Sequence, residues 1–455
     1  MAYTVEQTTT GVQGTYDQLV YVVKDTTNTG EPNYRYLCSI EIDGAEVIKL
    51  KQLPNNADCA VFDIRTITRA YVSQDENPWS LGADDPTEVF SSNTRAIKEV
   101  TVTFGYEYSV TAVTLPAETM LPATAQTVRV VNGSFYRVGD RYPLAASASD
   151  QYKINGAGRL FLSDAPASSN HTIPVADENG IRSRGVLAFL NGLDVGSQGA
   201  KFLHITYYNG STVLTTSVLQ NTSSTGGADP AAPGLSEAYS LLYVAIAPYN
   251  LEAQNYNSAV KPSNNAGYTR YTAQFASSNI LSGNETSAVY TFVRNGCCKY
   301  YDDEGAYTLH WWNSKGGVDS LPCSGMSVES QQFTRNTYNV IGGNAFNADG
   351  GTTPYVQESY DGGKRTTRVE TTTTLQLSVQ GGGGRIYTPL IKSLMNAERV
   401  FISGSGTFGL SVDRLDDGVM ECVVTDASKD YIKDVNQQVE SYSLTVEISR
   451  RRPNL

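Results

Sequence analysis

Residues 97–111 read IKEVTVTFGYEYSVT, and Val100, Val102, Phe104, Tyr106 and Tyr108 occupy every second position. Side chains alternate between faces along a strand, so this period of two fits a strand with one covered face. A helix would need apolar residues three and four apart. Residues 34–42 (YRYLCSIEI) show the same rhythm, and after Asp43-Gly44 it resumes in residues 46–50 (EVIKL). That order predicts a hairpin, because glycine accepts the positive φ of a two-residue turn. The apolar runs 19–23 (LVYVV) and 61–64 (VFDI) supply further strands. Together they predict a β-sandwich of immunoglobulin-like type over residues 1–122.

At 455 residues the chain has room for roughly two to four domains. Charged residues make up only 18%, while tyrosine reaches 29 copies, a balance that suits short pleated strands joined by turns. Residues 123–325 predict a second β-domain. Its first part, 123–180, is dominated by small residues and reads as an irregular insertion. Its later part alternates again through KFLHITYYNGSTVLTTSVL, with an Asn209-Gly210 turn. Residues 220–237 (QNTSSTGGADPAAPGLSE) read as a long projecting loop. Residues 326–455 predict a third, β-rich domain. It holds a glycine-rich loop at 340–364, a threonine-faced strand at 365–379 and one amphipathic helix at 385–398. In that helix Ile386, Leu390, Ile391, Leu394 and Met395 share a face. The fold class expected is therefore mainly β and multi-domain.

Charge narrows the partners. Lys and Arg number 34 against 46 Asp and Glu, a net charge of −12. A protein that neutralises phosphates needs a basic face, and the densest basic cluster is the terminal Arg450-Arg451-Arg452, which reads as a solvated tail. Nucleic acid is not an expected partner. Residues 1–23 lack a basic segment followed by an apolar run, and nothing approaches the ~18 consecutive apolar residues of a membrane span. Six cysteines without a C-x-x-C pair do not suggest a disulfide scaffold. These features predict a chain made in the cytoplasm, with no membrane span.

The densest chemistry lies in residues 297–320, CCKYYDDEGAYTLHWWNSKGGVDS, with two of the three tryptophans and one of three histidines. Cys297 and Cys298 are adjacent on a strand and point to opposite faces, so they do not share a metal easily. Asp302-Asp303-Glu304-Gly305 lacks the ligand spacing of a calcium loop and reads as a charged hairpin turn. His204 and His310 sit inside strands and read as packed sheet residues. The chain has no G-x-S-x-G and no P-loop, and no carboxylate pair can be singled out for glycoside hydrolysis. No catalytic residue, metal ligand or cofactor is expected. Tyr307, Leu309 and Trp311 share one face of a strand, and His310 and Trp312 the other. Bulky residues on both faces need cover on both, from another domain or another chain. His310, Trp311, Trp312, Tyr300 and Tyr301 are thus the candidate interface residues.

This stretch also carries a resemblance. Cys298-x-Tyr-Tyr, Tyr307-x-Leu-His-Trp-x-Asn and Gly316-Gly317-Val318-Asp319-Ser320 resemble a segment of virion proteins from tailed phages, mainly crAss-like and related phages of Bacteroidetes hosts. Similar patterns are Pro389-Leu390-Ile391-x-Ser-Leu-x-x-Ala-x-x-Val, Glu421-Cys-Val-Val-Thr-Asp with Lys433, and Tyr442-Ser-Leu-Thr-Val-Glu. Near the start, Gln18-Leu-Val-Tyr-Val-Val, Asn33-Tyr-Arg-Tyr and Phe62-Asp-Ile fit the same type, whereas residues 123–180 show no likeness. The resemblance implies a non-enzymatic structural component of the virion, a ring or collar protein of the tail or portal-proximal assembly. Its partners would be further copies of itself and other tail or portal proteins. Two other readings stand beside it. One is a receptor-binding fibre or adhesin whose Trp311, Trp312 and tyrosines stack on host glycans, and the other is a polysaccharide-degrading tail enzyme.

Overall fold

The alternating stretch forms the 12-residue strand Ile97–Tyr108, at the heart of a six-stranded sheet. Val100, Val102 and Phe104 are fully buried, and Tyr106 and Tyr108 pack at the margin of the same core. The computed structural model describes residues 3–74, 78–80, 89–93, 95–111, 113–136, 149–165, 171–176, 184–191, 199–221, 241–255, 257–295, 307–323, 328–340, 363–382, 387–404, 419–433 and 438–448. Within them the protein is mainly β, with several sheets and few short helices. No helix of the described residues is long and apolar enough to cross a membrane.

In the first region, Arg35–Ile42 and Ala45–Gln52 form the expected hairpin, closed by Asp43 and Gly44, both at positive φ. A second sheet of three strands (Tyr3–Gln7, Val20–Asp25, Cys59–Asp63) covers the other side of that core. The region runs past residue 122. Gln126–Val131 pairs antiparallel with Ile97–Tyr108 and parallel with Gly11–Gly14, turning Val128 and Val130 into the core.

Two sheets build the middle region. Lys153–Ile154, Val186–Asn191, Leu241–Ala245 and Phe90–Asn93 form one. His171–Ala176, Tyr290–Asn295, Arg270–Ala276, Phe202–Asn209 and Thr212–Gln220 form the other. Their shared core is aromatic, with Phe161, Phe189, Phe275, Tyr207, Tyr271 and Phe292 in ring contact. Two expectations are corrected. Phe90–Asn93 crosses out of the first region to pair with Leu241–Ala245. The supposed irregular insertion contributes Lys153–Ile154 and His171–Ala176 as strands, both paired parallel with distant partners.

A seven-stranded sheet forms the third region, in the order Val318–Cys323, Tyr307–Trp312, Val400–Gly404, Val419–Lys433, Gln438–Ile448, Gly363–Gly382, Val328–Val340. Its first two strands precede residue 326, so the boundary expected there cuts through one sheet. The Tyr387–Met395 helix packs on it through Leu390, Ile391 and Leu394. Met395 is 45% exposed instead. It lies about 140° around the helix from Leu390, past the edge of the buried stripe.

Candidate functional site: an internal joint and a projecting ribbon

Tyr307–Trp312 is buried on both faces, as its sequence requires. Tyr307, Leu309 and Trp311 enter the core under the helix, and Trp312 enters the aromatic core of the middle region. Trp311 Nε1 donates to Ser393 Oγ on the helix at 2.9 Å. Trp312 meets Trp79 and Phe401, each with ring centroids 5.0 Å away. The Arg399 guanidinium lies 5.6 Å from its ring. His310 is held between two hydroxyls, Ser320 Oγ at 2.8 Å from Nδ1 and Ser403 Oγ at 2.7 Å from Nε2. Burial, with a smaller contribution from Arg184, pushes its imidazole well below the usual value.

Of the two covers left open for this strand, another domain or another chain, these contacts supply the first for Trp311, Trp312 and His310. The strand is a joint inside one chain. The covering residue, Trp79, comes from the three-residue Pro78–Ser80 turn, too short to announce itself by periodicity. Tyr300 and Tyr301 lie outside the described residues, as do Cys297, Cys298 and the acidic turn 302–305.

The turn after the strand fastens three regions together. Asn313 donates from Nδ2 to Leu162 O at 2.8 Å and to Asp319 Oδ2 at 3.0 Å, while its Oδ1 accepts from the amides of Lys315 and Gly317, both at 3.0 Å. Gly316 has φ +79°, and a Cβ at Gly317 would overlap Leu162. From the first region, Ser134 N donates to Ser314 O at 2.7 Å. Buried Asp17 secures that loop by accepting from Gly14 N, Ser134 Oγ and Phe135 N.

Two carboxylates complete the joint. Asp319 accepts from Ser163 Oγ at 2.5 Å, Asp164 N at 2.8 Å and Asn313 Nδ2. Burial and the neighbouring Asp164 charge nevertheless push it up to about 6. Burial also opposes ionisation of Asp164, but Lys315, Ser393 and Ser314 outweigh it and hold that carboxyl below its usual range. Outside these groups lies a cleft of about 550 Å³ that reaches Tyr16, Trp312, Glu398 and Arg399. Three of the charged residues lining it are paired within the chain: Asp164 with Lys315, Glu398 with Arg69, Arg399 with Glu421. Trp312 is only 4% exposed, leaving no open ring face for a sugar. Among the described residues no group of three or more His, Cys, Asp and Glu side chains is placed to hold a metal. The described cysteines, Cys38, Cys59, Cys323 and Cys422, are free thiols.

The chain matches no family model and no curated protein. Its geometry therefore carries the functional reading.

The other unusual feature is at the far edge of the third sheet. Val328–Val340 pairs with the first part of Gly363–Gly382, and pairing of the latter with Gln438–Ile448 starts only at Thr374. Among the described residues, 363–373 and their partners thus form a two-stranded ribbon that overhangs the sheet by about 35 Å at ~3.3 Å per residue. Described side chains from Ser330 to Asn339 and from Gly363 to Val369 are all exposed, on both faces. They include Phe333 at 58%, Tyr338 at 48% and Val369 at 48%. Arg335, Lys364, Arg365 and Arg368 stand among them. The sequence held a signal for this, Gly363-Lys-Arg-Thr-Thr-Arg368, outshone by the terminal arginines.

Proposed function

We propose that this chain is a structural subunit of a tailed-phage virion, held in a ring or collar of the tail or portal-proximal assembly by contacts between copies. The observation that carries the reading is the overhanging ribbon. A two-stranded hairpin is marginally stable alone in water, and one exposing aromatic and aliphatic residues on both faces gains stability when another chain covers it. The likeness of residues 298–320 and of the C-terminal strands to phage virion proteins supports the same reading. So does the internal joint, where the titratable groups bind one another and tie three β-regions into a unit that can transmit load.

Labelling this protein in purified virions and imaging the particles tests the proposal. A fixed copy number at one level of the tail or portal is the expected result. Absence from the particle would refute it. Binding of the isolated protein to host-surface glycan would favour an adhesin, and depolymerisation of that glycan would favour an enzyme. The burial of Trp311 and Trp312 argues against sugar stacking at either residue.

A further inference from the structure

We propose that the ribbon of Val328–Val340 and Gly363–Gly382 is an arm by which one copy of this chain grips the acidic body of the next. This rests on the reading of the chain as a self-assembling subunit. Four features identify the occupant.

The outer strand, Val328–Val340, ends the sheet order, so one row of its backbone N–H and C=O groups is free of any described strand. Natural edge strands of this length are usually blunted by proline, lysine or inward charge. This one spans 13 residues without proline or lysine, and its charges are Glu329 and Arg335. Strand alternation then places Phe333, Arg335 and Val369 on one face, since Phe333 pairs with Thr371 and Arg335 with Val369. Past the irregularity between Asn336 and Thr337, Tyr338 pairs with Arg365. Aromatic residues and arginine, presented together, are the composition of protein-binding hot spots.

Charge decides among partners. The two strands of the ribbon carry Arg335, Lys364, Arg365 and Arg368 against Glu329 and Glu370, a net positive charge on a chain whose net charge is −12. The rest of the chain is therefore more acidic than the whole, and a second copy offers the complementary surface. Pairing one ribbon with another would instead bring like charges together. A contact of ribbon on body joins two different patches, which is the heterologous type that closes into rings. Nucleic acid fits less well, because the acidic body repels a polyanion.

The test uses the full chain. Light scattering and sedimentation would follow association at low and high salt for the wild type and for the triple variant Arg335→Glu, Lys364→Glu, Arg365→Glu. A photo-crosslinking residue would replace Phe333 in mixtures of isotopically heavy and light copies. Expected are salt-sensitive association, weakening by about tenfold or more in the triple variant, and heavy-to-light crosslinks that land outside the ribbon. Unchanged melting of the variant confirms that its fold is intact, as exposed positions predict. Equal association of wild type and variant would overturn the arm while leaving self-assembly standing. A wild type that stays monomeric throughout would overturn both. Crosslinks from ribbon to ribbon would overturn the gripping of the body. A mixed-sequence DNA duplex bound by the wild type and not by the variant, with association unchanged, would assign the ribbon to nucleic acid instead.

Discussion

His310 shows how one buried residue ties stability to pH. Its imidazole sits between Ser320 and Ser403 without access to water, and burial holds its pKa below the ordinary value of 6.5. Below pH 6.5 the unfolded chain takes up a proton that the folded chain refuses, so stability falls as pH falls through that value, by at most about 1.4 kcal/mol per pH unit. Asp319 acts in the opposite direction. Its folded pKa of about 6 exceeds the ordinary 3.8, so its protonation favours the folded state as pH drops from 6 toward 3.8. The imidazole effect is therefore cleanest just above pH 6. His310→Gln removes the titrating group while keeping a donor and an acceptor for the serines. Thermal melts at closely spaced pH values between 7 and 6 should show a decline in the wild type that is shallower in the variant. Equal slopes would mean that His310 is protonated in the folded chain or does not control this range.

At the level of elements, what the sequence made legible was local. The alternation of Val100, Val102 and Phe104 and the Asp43-Gly44 turn involve neighbours in the chain, so pattern alone gave strand, face and turn. Gln126–Val131 and His171–Ala176 were missed as strands of their sheets because their partners lie far away or run parallel, which no local periodicity encodes. The opposed faces of Trp311 and Trp312 were legible for the same local reason. What covers them was not, because Trp79 arrives from more than two hundred residues upstream. With both faces buried, Trp311→Ala and Trp312→Ala should each destabilise the protein by about 3–5 kcal/mol, the range for large aromatic truncations in cores. Trp311→Ala also removes the donor to Ser393 Oγ, whose hydroxyl then keeps only its bond to Asp164. Trp312→Ala removes a buried indole N–H that has no acceptor, which tempers its cost. Denaturant unfolding of the two variants compares them directly, and a Trp312→Ala protein as stable as wild type would remove Trp312 from the joint.

Across the whole molecule, the regions exchange strands, and sequence texture placed one boundary where the fold has none. Residues 123–325 looked continuous in style because Tyr307–Trp312 and Val318–Cys323 resemble the strands before them. They belong to the sheet that follows: Tyr307–Trp312 pairs with Val400–Gly404 over five residue pairs. Leu309, Trp311 and Leu321 then share a core with Leu375, Leu377, Leu390, Leu394, Leu444 and Val446. A fragment ending at residue 325 would keep the first three and lose these six neighbours. It would also lose Phe401, which packs on Trp79 and Trp312 from the other side. Exposing several such side chains costs about 1.5–3 kcal/mol each, which rivals the whole stability of a typical domain. The 1–325 fragment should therefore be aggregation-prone, bind a hydrophobic dye and lack the wild-type melting transition. Co-expression with 326–455 should restore solubility, because the missing strand and core return in trans. A soluble, monodisperse 1–325 fragment melting like the intact chain would show that the third sheet contributes nothing essential to the regions before it, and the interlocked architecture would then not govern stability.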